Sequence, residues 1–232
     1  MEHIAKNIAR IRAEMEQAAL AVGRDPKEIL LCAATKMHDA EAGKAAVAAG
    51  VDCCGENRVQ ELTQKMPLGA YEGKPVHFIG HLQTNKVKQV VGSVDLIQSV
   101  DRLDLLRCIQ KEAAKKDLVQ DILLEVNIGE EESKSGFTKE ETMEIAAKMA
   151  EFPNVRVKGL MAIPPAAKTH GENRGFFAEM RRLAVDIASK KYDNVNIECL
   201  SMGMSDDFAQ AIAEGSTMIR VGTAIFGPRN YT

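Results

Sequence analysis

At 232 residues, with a formal net charge of -3 and 45% hydrophobic content, the chain is long enough to bury a sizeable core and gives no global electrostatic case for binding nucleic acid. It has no apolar run of the roughly eighteen residues that would mark a membrane span, and its start, Met1-Glu2-His3-Ile4, lacks the basic and apolar regions of a secretory signal. The five cysteines are odd in number and form no Cys-x-x-Cys pair, so they are expected as small core hydrophobes in a reducing cytoplasm.

Taken in order, Ile4, Ile8, Ile11, Met15 and Ala19 recur at helical spacing and predict a helix over 3–22, stopped by Gly23. Asp25-Pro26 turns the chain into the apolar run from Ile29 to Thr35, which ends on Lys36. Its lack of polar alternation fits a strand buried on both faces. An alanine-rich helix is expected over 39–49, a short strand over 51–54 and a helix from about 57 to 66. Strands follow at 76–80 and 94–100, backed by helices near 84–91 and 102–116, the second capped by Asp101. Further strands are predicted at 121–128, 155–163, 195–201 and 218–221. The helix after the first of these starts on the capping box Thr138-Lys139-Glu140-Glu141. The next runs from Glu172 to about Lys190, and the last from Ser205, as N-cap, to about Glu214.

About eight strand-then-helix units thus alternate without a linker rich in Pro, Gly or Ser. Strict alternation argues a parallel sheet, and that number of units argues closure. The expected fold is α/β: a single (β/α)8 TIM barrel of residues 1–232, with an extra N-terminal helix. A doubly wound open sheet is the competing arrangement, disfavoured because no Gly-x-Gly-x-x-Gly follows the first strand.

Barrel chemistry collects at the C-terminal ends of the strands. Those ends carry Lys36, Glu56 and Asn57, Gly80 and His81, Asn127, Met161, then Ser201, Gly203 and Ser205, and finally Arg220, Gly222 and Thr223. Alone, a strand-end lysine is commonly a solvated charge, and a glycine after a strand is commonly a turn. Gly203 and Gly222, with the hydroxyls of Ser201 and Thr223 and a helix start at Ser205, together describe a phosphate cup. A lysine amine and a phosphate cup across one barrel mouth have a common explanation in pyridoxal 5′-phosphate (PLP), which carries an aldehyde and a phosphate. Arg220 would then face the pyridine nitrogen and leave it unprotonated, the competing role being an ordinary ion pair at the rim.

Other constellations are weaker. His77 and His81 do not share a helical face, so no metal site is expected from them. Glu130-Glu131-Glu132 reads as a solvated loop, and Lys134 either faces solvent or reaches the mouth. Asp206-Asp207 suits the first turn of a helix better than acid–base catalysis. No paired glycosidase-like carboxylates and no Ser-His-Asp order stand out.

Several stretches carry a family resemblance: Gly55-Glu56-Asn57-Arg58-Val59-Gln60-Glu61, His77-Phe78-Ile79-Gly80-His81-Leu82-Gln83-Thr84-Asn85-Lys86, Ser133-Lys134-Ser135-Gly136, Gly159-Leu160-Met161-Ala162-Ile163-Pro164, Leu200-Ser201-Met202-Gly203-Met204-Ser205-Asp206-Asp207 and Ile219-Arg220-Val221-Gly222-Thr223-Ala224-Ile225-Phe226-Gly227. Through nearly its whole length the chain resembles the pyridoxal phosphate homeostasis protein family, small PLP-binding barrels related to the N-terminal domain of alanine racemase. The resemblance implies a fold of the PLP type III kind, a PLP aldimine on Lys36, and phosphate contacts from Ser201, Gly222 and Thr223. With Asn57, Gly203 and Arg220 these complete the expected cofactor-binding set. Members commonly read Val-Ser-Lys-Thr-Lys-Pro around the lysine, whereas this chain reads Ala34-Thr35-Lys36-Met37-His38-Asp39, and Arg58 stands where an aromatic is common.

The implied function is intracellular PLP (vitamin B6) homeostasis as a cytoplasmic, monomeric carrier or regulator without robust catalysis, with PLP-requiring apo-enzymes as possible partners. The alternative is an amino-acid racemase of the alanine racemase type. That reaction needs a second acid–base, usually a tyrosine, yet Tyr71, Tyr192 and Tyr231 lie at no clear strand end, and the extra β-domain of racemases is missing. A third class, a PLP-free barrel using a lysine imine on a phosphorylated substrate, needs no cofactor.

Overall fold

In the computed structural model, which describes residues 1–131, 134–166, 169 and 171–227, eight parallel strands close into a barrel in strict sequence order. They are β1 (Leu30–Ala34), β2 (Cys53–Glu56), β3 (Val76–Phe78), β4 (Leu96–Val100), β5 (Gln120–Val126), β6 (Val155–Ala162), β7 (Val195–Ser201) and β8 (Met218–Val221). β1 closes the ring by pairing with both β2 and β8. The helices are α1 (Glu2–Leu20), α2 (Ala40–Ala48), α3 (Val59–Lys65), α4 (Val87–Val90), α5 (Leu103–Lys115), α6 (Lys139–Ala147), α7 (Arg174–Lys190), α8 (Phe208–Ala213) and α9 (Thr223–Phe226).

The apolar runs are continuous where a strand is covered on both sides, as in β2, β3, β4 and β8, whereas β7 leaves Asn196 and Glu198 exposed. On β1, Leu31 and Ala33 join the layer between sheet and helices, whereas Cys32 packs inside the barrel with Cys53 and Met218. Leu96, Leu123 and Met161 form a second interior cluster. Polar groups also enter this interior. The amide nitrogen of Gln98 lies 2.9 Å from His77 Nδ1, and its oxygen accepts from Ser201 Oγ at 2.7 Å. Beside them the Cys53 thiol donates to Cys32 and, against the cost of burial, holds the Cys32 pKa below that of an ordinary thiol, with help from His77 and Arg220.

The extra N-terminal helix is a member of the outer ring. After β8 the described residues make the single turn of α9. α1 therefore packs against α8, α9 and α2, on the stripe Ile4, Ile8, Ile11, Met15 and Ala19. It fills the place that a full eighth helix would take.

Some local expectations shift. β2 forms two residues later than 51–54, because Gly55 and Glu56 pair with His77 and Phe78 of β3. Asp101 does not cap α5; its carboxylate sits 2.5 Å from Arg102 and 3.2 Å from His81. Ser205 is not the cap of α8, which starts three residues later at Phe208. Ser205 Oγ instead accepts the N–H of Ala224 at 3.3 Å. The capping box at Thr138 and Glu141 is present in full.

Candidate functional site

The C-terminal mouth of the barrel holds a cavity of about 370 Å³, within the range of small-molecule and cofactor sites. Its wall takes Ala34 and Lys36 from the end of β1, Asn57 after β2, Ile79 after β3, Ile163 after β6, Met204 to Asp206 after β7, and Arg220 with Gly222 to Ala224 around the end of β8. Five of the seven expected cofactor-binding residues thus line the same cavity: Lys36, Asn57, Arg220, Gly222 and Thr223.

Lys36 sits in a turn that is fixed from behind. Thr35 is wholly buried, and its carbonyl accepts from Lys65 Nζ at 2.8 Å and from the His38 N–H at 3.2 Å. On the other side of Lys36, the Met37 N–H donates to Glu61 Oε2 at 2.7 Å. Met37 has a left-handed φ of 61°, a conformation that a non-glycine residue adopts only when its surroundings hold it there. The holding group is α3. Its Lys65 ammonium bridges Glu61 at 2.9 Å and the fully buried Glu56 at 2.8 Å. Thr35 Oγ1 and Tyr71 OH also donate to the same Glu56 oxygen, at 2.5 and 2.8 Å. Burial alone would raise the Glu61 carboxyl; Lys65 and the Met37 N–H hold it below its usual value.

Arg220 is almost wholly buried. It donates to the Ser201 carbonyl and hydroxyl at 2.8 and 2.7 Å and to the Ala162 carbonyl at 2.9 Å. Those three bonds all end on neutral oxygens, so the ion-paired rim arginine considered from the sequence is not what forms. Burial pushes its pKa down, and Cys32 and Glu125 oppose that. Burial likewise pushes Glu125 up to about 7, with the neighbouring Asp101 adding to the rise and Arg220 opposing it.

At the opposite wall the chain turns from β8 into α9 at Gly222, its N-cap, with Thr223 the first helical residue. The Ile225 and Phe226 N–H groups donate to the Gly222 carbonyl and the Ala224 N–H to Ser205 Oγ. The helix start at this wall is therefore that of α9 rather than the one expected at Ser205. A side chain at Gly222 would stand 3.3 Å from the Ala34 carbonyl, so glycine keeps the wall open there.

Ser201 and Gly203 do not line the cavity. Ser201 is buried beneath Arg220 and bonded to Gln98, and Gly203, at φ 94°, packs against Phe208 and Ala211 of α8. Of the other rim candidates, Glu56 lies behind the strand end, Met161 is buried in the interior, and His81 faces outward beside Asp101. Asn127 Nδ2 donates to the Glu131 carbonyl at 2.8 Å, and Lys134 Nζ reaches Glu131 and the Pro164 carbonyl. Asp207 accepts from the Met204 N–H and from Asn173 instead of capping α8. Glu132, Ser133 and Tyr231 lie outside the described residues.

Two groups escaped the sequence reading. His38 lines the cavity and stacks on Phe226 of α9, with ring centroids 4.5 Å apart; burial and then Lys65 push its pKa down, so the ring is neutral at pH 7. The Lys65–Glu56–Tyr71 network was missed too, although Glu61 and Lys65 at helical spacing were a readable signal.

The residues present suit a PLP-sized, phosphate-bearing aldehyde. Asn57 Oδ1 is buried at the cavity and has no hydrogen-bond partner among the described residues, which leaves an acceptor open to a bound donor. The wall also offers one primary amine, a buried guanidinium, and hydroxyls at Ser205 and Thr223.

A family model, alanine racemase, N-terminal domain, matches residues 1–230. A pyridoxal phosphate homeostasis protein of Aquifex aeolicus is 42% identical over 226 residues, covering 97% of this chain and 98% of that protein. The structure of PipY of Synechococcus elongatus with PLP bound is 32% identical, with a TM-score of 0.83 over 97% of this chain and 100% of that one. Alanine racemase of Corynebacterium glutamicum shares the fold, with a TM-score of 0.73 at 16% identity; 98% of this chain matches 61% of that one. The chain belongs to the alanine racemase N-terminal domain family and, within it, to the pyridoxal phosphate homeostasis proteins.

Proposed function

We propose that this chain, acting as one domain over residues 1–232, holds PLP in the cavity at the barrel mouth and serves vitamin B6 homeostasis. It does so as a carrier or regulator without robust catalysis. The observation that carries the reading is the donor set of a single cavity: Lys36, Asn57, Arg220, Gly222 and Thr223 all line it, with Asn57 Oδ1 unpartnered among the described residues. The relatives' name and the PLP in PipY support it. When bound, PLP supplies an aldehyde that condenses with a primary amine, and a phosphate that needs an anion site. Lys36 is the amine. Gly222, Thr223 and Ser205 surround the phosphate, Gly203 allows the loop beneath it to turn, and Ser201 acts through Arg220 by fixing the guanidinium. Arg220 does not give up its proton, so the ring nitrogen it meets stays unprotonated and withdraws electrons weakly. Such a site favours storage over turnover.

The racemase alternative rests on the family relationship. Against it, Tyr71 is buried and gives its proton to Glu56 in a hydrogen bond, and burial beside that carboxylate raises its pKa. Tyr192 packs against the core from outside the barrel. Neither lines the cavity. In the proposed role the protein works as a cytoplasmic monomer and passes PLP to apo-enzymes that require it.

The purified protein is expected to carry one PLP per chain with a visible absorbance band that Lys36→Ala abolishes. A protein that stays colourless after PLP is added sinks both PLP readings. Interconversion of L- and D-alanine at enzyme-like rates selects the racemase, and failure of the loaded protein to activate any PLP-requiring apo-enzyme removes the carrier role.

A further inference from the structure

We propose that Cys32, Cys53 and His77 form a binding site for one thiophilic metal ion, Cu(I) or Zn(II), inside the barrel below the cofactor cavity. The three residues come from adjacent strands β1, β2 and β3, and Cys32 and Cys53 are direct partners across the β1–β2 pair. One donor atom from each lies within 4.8 Å of the other two, and all three residues are buried. That is a spacing an ion can close with small side-chain rotations. Thiolate and imidazole together select zinc and monovalent copper, and disfavour magnesium, calcium and manganese.

The surroundings complete the site. Met218 packs in the same interior cluster as Cys32 and Cys53 and offers a thioether as a further soft ligand. A side chain at Gly55 would come within 3.0 Å of Cys32 Sγ, so glycine leaves the sulfur room to move. Gln98 touches both His77 Nδ1, at 2.9 Å, and the Met218 sulfur, at 3.2 Å. With an ion on Nε2 the ring proton sits on Nδ1, and the Gln98 amide turns its oxygen to accept it. A hydrogen-bond partner on the ring nitrogen that does not bind the metal fixes the orientation of a ligating histidine.

The site also has an approach. The N-terminal end of the barrel carries a depression of about 380 Å³ that reaches His77, Cys199 and Met218. Its lining has four carboxylates, Glu28, Asp95, Asp121 and Glu198, to one lysine, Lys158, a balance that draws cations. Binding forms two metal–sulfur bonds and one metal–nitrogen bond. The two thiol protons leave to solvent, and no electron is transferred because the ion enters and stays in its closed-shell state.

The test uses the full-length, reduced, metal-free protein in two arms. One is an anaerobic titration with Cu(I) against a chromogenic chelator, and the other a titration with Zn(II). One equivalent bound per chain in either arm is expected, and the arms identify the ion. Cys32→Ser, Cys53→Ser and His77→Gln should each lose that equivalent. Gln98→Leu should weaken it by about 10- to 100-fold. Cys108→Ser, a half-exposed thiol on α5, should leave it unchanged. X-ray absorption of the ion in the unaltered protein, which avoids any variant that fails to fold, should show two sulfur ligands and an imidazole. Uptake of neither ion overturns the proposal. So does binding that survives loss of both cysteines, or a ligand shell of oxygen and nitrogen alone.

Discussion

Lys65→Met is the sharpest test of how the Lys36 turn is held. Methionine keeps the length and apolar stem of the side chain and removes only the charge. The native ammonium is buried between Glu56, Glu61 and the Thr35 carbonyl at 2.8 to 2.9 Å. Its loss leaves Glu56, which has no solvent exposure, with only the hydroxyls of Thr35 and Tyr71, while its second oxygen already lacks a partner. Removing one partner from a buried ion pair costs about 3–5 kcal/mol. For a chain of this size that lowers Tm by roughly 10 °C. Unfolding of the variant and the unaltered protein in urea and by heat at pH 7 would test both expected values.

The double variant Lys65→Met with Glu56→Gln should recover most of that loss, because the uncompensated charge is then gone and an amide can meet both hydroxyls. Lys65→Met should also loosen PLP, since Thr35 loses the donor that fixes the residue before Lys36. A loss below about 1 kcal/mol, the value of a surface ion pair, refutes the argument that this network is a dry clamp. Full destabilisation with unchanged PLP retention refutes only its link to Lys36.

Three further outcomes follow from named contacts. Burial holds Glu125 near pH 7 in the folded chain, above the ordinary carboxyl value of 4.5. The native state therefore binds an extra proton between those pH values, and stability falls as pH rises from about 4.5 to 7, by up to about 3 kcal/mol at 1.36 kcal/mol per unit. Glu125→Gln should flatten this slope in unfolding curves taken from pH 5 to 8, and an unchanged slope assigns it to another group. At Gly80 a Cβ would lie 2.2 Å from the Asn57 carbonyl, so Gly80→Ala must displace Asn57. Calorimetry should show a loss of about 1–3 kcal/mol, with weakened PLP binding; native-like affinity would show that Asn57 is not needed. His38→Ala removes the ring stacked on Phe226. Such stacks are worth about 0.5–1.5 kcal/mol, and stopped-flow transfer to an excess of apo-enzyme should release PLP roughly two- to tenfold faster if the stack guards the cavity.

The barrel was legible because most strands are buried on both faces over nearly all their length, β7 with its exposed Asn196 and Glu198 being the exception. Its runs are nearly unbroken and short, and Gly, Pro or a charge bounds each one. The stripe on α1 was equally plain, since five apolar residues at helical spacing all became buried. Lys36 was legible for a different reason: a strand end fixes where its side chain emerges whatever the details of packing. What the sequence hid depends on register and on elements too short to show a period. α9 has four residues, about one helical turn, so the helix start beside Gly222 was assigned to Ser205 instead. Ser201 and Gly203 were placed on the right strand end but lie deeper than the cavity, because the Arg220 side chain covers Ser201 and Gly203 packs under α8. Cys32, Cys53 and His77 meet only through the stagger of three strands inside the closed ring, which no local spacing reports.

The two sides of the cavity differ in depth, and on the proposed reading that difference separates holding from release. On the β1 side Lys36 is backed by buried contacts among Thr35, Glu56, Lys65 and Tyr71, none of which lines the cavity. Across the mouth the structure is thin. α9 is one turn, Thr223 is exposed, and His38 reaches Phe226 from a turn whose Met37 stands in a left-handed conformation. That conformation costs about 1–2 kcal/mol and persists through two contacts, Met37 N–H to Glu61 and His38 N–H to the Thr35 carbonyl. A change that breaks them relaxes the Met37-His38 segment and lifts the ring from Phe226, yet leaves the buried Glu56–Lys65 pair behind Lys36 in place. Retention then rests on the amine and its backing, and the rate of loss on the rim. In this chain that rim is His38, at the very place where the sequence departs from the lysine-and-proline pattern of its relatives.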